Sequence, residues 1–442
     1  MDAVLLARLQ FALTVGFHYI FPPLTIGLGW MLFFYQTRFL RTGDLIFRQL
    51  SRFWMRMFAI TFAVGVATGI TMEFQFGTNW AAYSRFVGDI FGAPLAAEGV
   101  FAFFLESSFL AILIYGENRV SQKVYWLSSL LVAVGATLSA FWIVVANSWQ
   151  QTPAGYHLVN GRAELTSFWE AVFNPSTLPR YFHVIAGALV VGTFFVVGVS
   201  ALMLLKKRHV AFAERSLKSA LIPFFLSIML VMGMGHLHAV QVAQTQPAKL
   251  AAFEGLWETR TGAPLLLFGF PNAETETTDW AVSVPNALSL MVGMSKDTKV
   301  QGLKDFPKAD RPPLLTTFFS FHSMVYLGGW FALLAMAGLF LWWRGTITQN
   351  RLFLTSAALT LPLPFLANEL GWIAAEVGRQ PWVVYNLMRT KDAVSGAVPA
   401  GQILASIILF SLIYTLLFGV WLYLLGRQFD KGPQPLEEEV RS

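Results

Sequence analysis

The chain has 442 residues, 55% of them hydrophobic and 15% aromatic, and only 13% are charged, about half the share found in soluble domains. That composition places it in a bilayer. The formal net charge of +6 does not point to nucleic acid, because Lys and Arg are spread over short connections with no basic stripe interleaved with aromatics. With no cysteine, disulfides, iron–sulfur clusters and thiolate-held zinc or haem are excluded. Any metal must be held by His, Met, Glu or Asp.

The first residues, MDAVLLARLQF, carry no basic n-region and no small-residue cleavage site, so they read as the start of a retained span. A helix needs roughly 20 apolar residues to cross about 30 Å of hydrocarbon. Such stretches fall at 9–36, 53–77, 94–115, 124–146, 182–205, 219–241, 314–343, 352–376 and 400–426. The expectation is an all-α integral membrane protein of about nine transmembrane helices, forming a single domain over 1–442. Arg38, Arg41, Arg48 and Arg52 lie in the first connection, Arg119 and Lys123 in the third, Lys206, Lys207, Arg208, Arg215 and Lys218 in the fifth, and Arg344 and Arg351 in the seventh. The positive-inside rule puts these connections in the cytoplasm. The N-terminus is then outside and the tail KGPQPLEEEVRS is cytoplasmic.

Two outward connections, about 147–181 and 242–313, are too long for simple turns. The second places Phe253, Trp257, Leu265 and Phe268 among polar residues, too much apolar content for a disordered linker. It is expected to be an ordered extracytoplasmic lid. No internal repeat is visible, and Gly65 with Gly69 gives a weak helix-packing signal.

Ionisable groups at membrane depth face a cavity, a partner or a cofactor. The candidates are His18, Glu73, Glu98, Glu106, His183, His322, Glu369 and Glu376. Singly, each reads as readily as an internally bonded helix contact. Their depths say more: the orientation puts His183, Met324, Glu98 and Glu376 near the outer ends of their spans, with His18 somewhat deeper. His and Met ligate low-spin haem, and a chain without Cys cannot attach haem c through thioethers. His183 with Met324 suits a low-spin haem, although Met324 alone would more often be packing. Glu98 or Glu376 near His18 suits high-spin, oxygen-binding iron, because hard oxygen donors fit it. Glu98 and Glu106, on one helix, would lie roughly 80° and 12 Å apart. With Ser107 and Ser139 they could form steps of an inward-to-outward proton route, or equally a plain interhelical hydrogen-bond cluster.

Longer motifs narrow the choice. Through SRFWMRMFAITFAVGVATGITMEFQFGTNW, GDIFGAPLAAEGVFAFFLESSF, QPAKLAAFEGLWET and GWIAAEVGRQPW, the chain resembles subunit I of cytochrome bd quinol oxidases from end to end. The resemblance implies a terminal oxidase subunit of a bacterial aerobic respiratory chain, multi-pass in the cytoplasmic membrane. Such a subunit oxidises quinol and passes electrons through a low-spin haem b to a high-spin haem b and haem d that reduce O2 to water. It implies His18 as a high-spin haem ligand, His183 and Met324 as low-spin haem b ligands, Glu376 as ligand in the other high-spin site, and Glu98 against the high-spin pair. Which high-spin haem belongs to which ligand stays open. Glu106, Ser107 and Ser139 match the cytoplasmic proton pathway, and Trp372 and Arg379 match residues beside the haems. The connection 242–313 is similar to the quinol-binding Q-loop, with Lys249 and Glu254 at its functional Lys and Glu. By chemistry, Glu254 can accept a quinol proton and Lys249 can hydrogen-bond the quinone oxygen; in an exposed loop such a pair would ordinarily be solvated. Implied partners are a subunit II, a small single-span subunit, ubiquinol or menaquinol, O2 and membrane lipid, with no nucleic acid.

Two departures stand out. His322, in FSFHSM, stands where well-known members carry an Arg two residues before the Met ligand, and the Q-loop is of the short type. His236 and His238 replace an acidic pattern expected after the sixth span. Rival readings are a dihaem electron-transfer anchor, which has no need of His18 with two outer Glu, and a secondary transporter, for which inverted repeats are expected.

Overall fold

The computed structural model describes residues 2–99 and 104–435. The fold is mostly helical. Among the described residues seven helical segments are long and apolar enough to cross a membrane: 3–42, 45–78, 122–151, 177–205, 210–245, 314–343 and 400–431. They match seven of the expected stretches and run several residues beyond most of them. The other two differ in construction.

The first span is two helices, α1 (Ala3–Tyr19) and α2 (Phe21–Thr42), meeting at Ile20. Pro22 and Pro23 have no N–H to give to the carbonyls of His18 and Tyr19, so the helix breaks at Ile20, two residues after His18. Next come α3 (Leu45–Thr78) and α4 (Ala81–Ala97), the latter carrying Pro94. The chain widens into a π-type turn at Glu98 and Gly99. Helix α5 (Phe104–Tyr115) is too short to span alone, and part of the expected 94–115 stretch lies outside the described residues. The expected 352–376 stretch is likewise two helices, α13 (Arg351–Leu359) and α14 (Leu363–Val377), because Pro362 and Pro364 interrupt the donor series between them.

Helix α8 (Thr177–Leu205) is the central rod, 83% buried over its apolar window. It packs along α9 (Val210–Thr245) and crosses α2 backbone to backbone. A Cβ on Gly27 would lie 2.6 Å from the Gly192 Cα, and one on Gly192 would lie 2.4 Å from the Gly27 Cα, so only glycine fits at either position. Lipid is as apolar as Leu, so close packing of this kind rather than apolar burial holds the helices together. The periphery is α15 (Ala400–Lys431), whose window is 11% buried.

The two long connections are ordered. In the first, α6 (Gln122–Gln151) is followed by the hairpin β1 (Tyr156–Val159) and β2 (Arg162–Leu165) and by α7 (Phe168–Val172). In the second, α10 (Pro247–Glu254) ends at Gly255, where φ is +56°. The antiparallel hairpin β3 (Leu265–Asn272) and β4 (Thr277–Val284) and then α11 (Ala287–Gly293) follow. Leu250, Phe253 and Leu256 pack with Leu288 and Val300 and with Val242 and Ala374 of the helices below. The loop therefore shares a core with the bundle. Trp257 is buried with Phe253, whereas Phe268 is exposed. An ion-pair cluster clasps the far side: Glu276 accepts from Arg311 at 2.8 Å and lies 3.4 Å from Lys308. The last elements are α12 (Leu314–Trp343) before α13, and a short hairpin, β5 (Trp382–Val384) with β6 (Met388–Arg389), after α14.

Candidate functional site

The ends of α6, α8, α10 and α14 meet in one polar cluster. Glu376 is the next-to-last residue of α14. Arg379 donates to its Oε2 at 2.5 Å, Gln151 donates to its Oε1 at 3.1 Å, and Arg180 lies 3.6 Å from the same oxygen. Arg180 also binds Asn147. Arg379 is held by the Gln150 side chain at 3.1 Å and by the Trp382 carbonyl at 3.2 Å. Two guanidiniums thus fix one carboxylate with little freedom, the arrangement a buried charge requires.

Gln151 uses its other end for Lys249, whose Nζ donates to Oε1 at 2.6 Å. Gln246, just before α10, donates to the Gln151 carbonyl at 2.9 Å and locks the joint. Lys249 is buried rather than solvated, with its stem lying over Gly378, where a Cβ would meet Lys249 Cγ at 3.0 Å. Burial, with the Arg180 guanidinium nearby, pulls its ammonium well below the usual lysine range.

Glu254 is also buried, but it faces elsewhere. Five residues along a helix turn a side chain by about 140° from Lys249. Its Oε2 accepts the Leu266 N–H of β3 at 3.2 Å. Burial pushes its carboxyl up to about 7, and the Leu266 bond acts in the opposite sense.

Three of the four expected iron ligands, His18, His183 and Met324, each lie against a glycine of a neighbouring helix. A Cβ at Gly69 would lie 3.2 Å from His18 Cε1, one at Gly235 would lie 3.2 Å from His183 Cε1, and one at Gly371 would lie 2.8 Å from Met324 Sδ. His18 Nδ1 lies 3.0 Å from Thr68 Oγ1, and that hydroxyl gives its own proton to the carbonyl of Val64 or Gly65, each at 3.0 Å. With its proton on either carbonyl, Thr68 accepts from Nδ1–H, and that tautomer leaves Nε2 with a free lone pair, the state that binds iron. His183 Nδ1 is buried with no hydrogen-bond partner, which leaves an imidazole nitrogen available to a metal. These donors fit haem.

His238 stands beside His183, ring centroids 5.7 Å apart. His322 is buried, with Nδ1 and Nε2 each 3.2 Å from a carbonyl oxygen, of Phe318 and Leu266 respectively. Trp372 is half-buried on α14.

On the other flank, Ser139 donates to Glu98 Oε1 at 2.7 Å. One turn away on α6, a Cβ at Gly135 would lie 3.1 Å from Glu106 Cβ, and Glu106 is buried there. Glu98 and Glu106 therefore meet one face of α6 at successive turns, and Ser107 is half-buried next to Glu106. The helix expected to join the two Glu includes 100–103, outside the described residues.

Sequence reasoning missed Gln151, Arg180, Asn147 and Thr68. Gln151, Asn147 and Thr68 carry no charge, and Arg180 fell two residues outside the expected span.

The model of the family "Cytochrome bd terminal oxidase subunit I" matches residues 6–433. The chain is 42% identical to cytochrome bd ubiquinol oxidase subunit 1 of Bacillus subtilis (strain 168), covering 98% of this chain and 95% of that one. It is 36% identical to cytochrome bd-II ubiquinol oxidase subunit 1 of Escherichia coli (strain K12), covering 99% and 98%. The solved bd oxidase from Geobacillus thermodenitrificans superposes with a TM-score of 0.91 at 32% identity, covering 98% and 99%. The chain belongs to the cytochrome bd terminal oxidase subunit I family. It is a multi-pass membrane protein.

Proposed function

We propose that the chain is the quinol-oxidising, haem-carrying subunit of a quinol:oxygen oxidoreductase in the bacterial cytoplasmic membrane, working with a subunit II and a small single-span subunit. The reading takes 242–313 as an extracytoplasmic Q-loop, the N-terminus as outside and the C-terminus as cytoplasmic. His183 and Met324 would hold a low-spin haem b; His18 and Glu376, with Glu98 alongside, would hold a high-spin haem b and haem d. When bound, the haems supply one-electron redox chemistry and the iron that binds oxygen.

The protein's own residues would divide the remaining work. Lys249 hydrogen-bonds a quinol oxygen and Glu254 accepts a hydroxyl proton, so that oxidation to quinone releases protons outside. Arg379 and Arg180 hold Glu376 in one orientation, and Trp372 packs beside the group it serves. Glu106, Ser107, Ser139 and Glu98 hand protons from the cytoplasmic side toward the oxygen site. Two quinols supply the four electrons that reduce one O2, four protons leave outside, and four taken from inside complete two waters. A membrane potential follows without a separate pump.

The observation that best supports this reading is the link Lys249–Gln151–Glu376, with bonds of 2.6 and 3.1 Å, because it ties the Q-loop helix to the expected ligand. The test is the reduced-minus-oxidised spectrum of the purified complex. Met324→Leu must lose the low-spin signal and His18→Ala a high-spin signal. If both spectra match the unaltered complex, the ligand assignment is wrong.

A further inference from the structure

In the β3–β4 hairpin the register slips between Leu266, opposite Ser283, and Phe268, opposite Val282. Two residues on one strand oppose one on the other, a β-bulge, and a bulge leaves backbone groups without ladder partners. Side chains take those groups here. The Leu266 N–H goes to Glu254 Oε2 at 3.2 Å, the Leu266 carbonyl faces His322 Nε2 at 3.2 Å, and the Leu267 carbonyl accepts from the Tyr326 hydroxyl.

His322 and Tyr326 are four residues apart on α12, hence on one face, and Met324 between them points about 160° away. That opposite side is where Met324 Sδ approaches Gly371. A neutral imidazole has one N–H. The Phe318 carbonyl is the helical partner of the His322 backbone N–H, so the ring proton has its greater use at Leu266. The ring is also stacked on Phe318, centroids 4.1 Å apart, which fixes its direction.

We infer that His322 and Tyr326 are positioning residues that seat the bulge of the Q-loop hairpin on α12, and that Leu266, gripped between His322 and Glu254, thereby sets where Glu254 meets quinol. This rests on the reading of Glu254 as the quinol's proton acceptor. The face that carries Met324 is separate, so the hairpin seat and the expected low-spin ligand act independently although two residues apart.

The test uses the purified, haem-loaded complex with His322→Phe, which keeps the stacking and removes the N–H, His322→Gln, which restores one, and Tyr326→Phe. Losing one net hydrogen bond should raise the quinol KM roughly fivefold with kcat and the low-spin spectrum little changed. Limited proteolysis within 265–284 should speed up by a similar factor. His322→Gln should recover most of both. Tyr326 is 49% exposed, so Tyr326→Phe removes one hydroxyl without disturbing the core and decides the matter if His322→Phe does not accumulate. Wild-type KM and proteolysis in these variants overturn the inference. So does loss of the low-spin spectrum in His322→Phe, which would put that residue's work at Met324. Glu254→Gln keeps the two readings apart: wild-type quinol oxidation there sinks the role of Glu254, while proteolysis still reports on the hairpin seat.

Discussion

Lys249 and Glu376 are joined through one side chain, Gln151, whose carbonyl oxygen accepts from the lysine at 2.6 Å and whose amide donates to the glutamate at 3.1 Å. An amide serves here where a charged residue would not, because its carbonyl accepts from the lysine nitrogen and its N–H donates to the carboxylate without adding charge. Gln151→Leu preserves volume and leaves both partners short of a bond. A hydrogen bond to a buried charged group is worth about 1.5–3 kcal/mol. The expected result is a loss of that order in the thermal stability of the complex, with a raised quinol KM and a shifted high-spin haem spectrum. A change in stability with both KM and spectrum intact would make Gln151 a scaffold residue only.

Most of the spans were legible because hydropathy alone reports a bilayer-length helix. The breaks at Ile20 and at 360–362 were written in Pro22, Pro23, Pro362 and Pro364, but hydrophobic counting smooths over prolines that membrane helices tolerate. Glu376, Arg379 and Lys249 were visible as charges in distinctive motifs. Gln151 and Thr68 were not, since a neutral polar residue at a helix end or in a helix interior has many ordinary uses, and only its partners reveal its task. The sequence context of Lys249 and Glu254 could not show their burial or that they face different ways; that came from the hairpin and from Gly378, at the end of α14, over which the Lys249 stem lies.

Thr68 fixes the tautomer expected for an iron-binding His18. Thr68→Val keeps the shape and loses the acceptor, so Nδ1–H would be unpaired and the competing tautomer freed, at a cost of about 1 kcal/mol. Haem content per subunit in the purified complex should fall severalfold at limiting haem, and Thr68→Ser should recover it. Full haem content in Thr68→Val would refute the assignment.

Glu254 gives a pH dependence with a definite sign. Burial holds its carboxyl near about 7, and only the ionised form accepts a proton, so quinol oxidation should rise as outside pH passes upward through about 7 and fall as it passes downward. Initial rates across that range, with cytoplasmic-side pH held constant in vesicles, read this directly. Glu254→Gln should remove the rise and leave a low, flat rate. A rise that persists in Glu254→Gln would assign the titration to another group.

Two glycine substitutions separate packing from ligand placement. At Gly27 a Cβ would lie 2.4 Å from the Ala188 carbonyl oxygen and 2.6 Å from Gly192 Cα. Those are backbone atoms of the central helix and cannot swing aside. Gly27→Ala should therefore force α2 from α8 and cost at least about 1–3 kcal/mol, with less complex recovered and every haem signal reduced together. At Gly371 the obstructed atom is Met324 Sδ at 2.8 Å, the end of a flexible side chain that can move. Gly371→Ala should fold normally and push the thioether off its position. The expected readout is a low-spin spectrum altered selectively, with the high-spin signals and the yield of complex preserved. If Gly371→Ala instead lowers all signals in parallel, the contact serves helix packing and Met324 loses its strongest geometric support as a ligand.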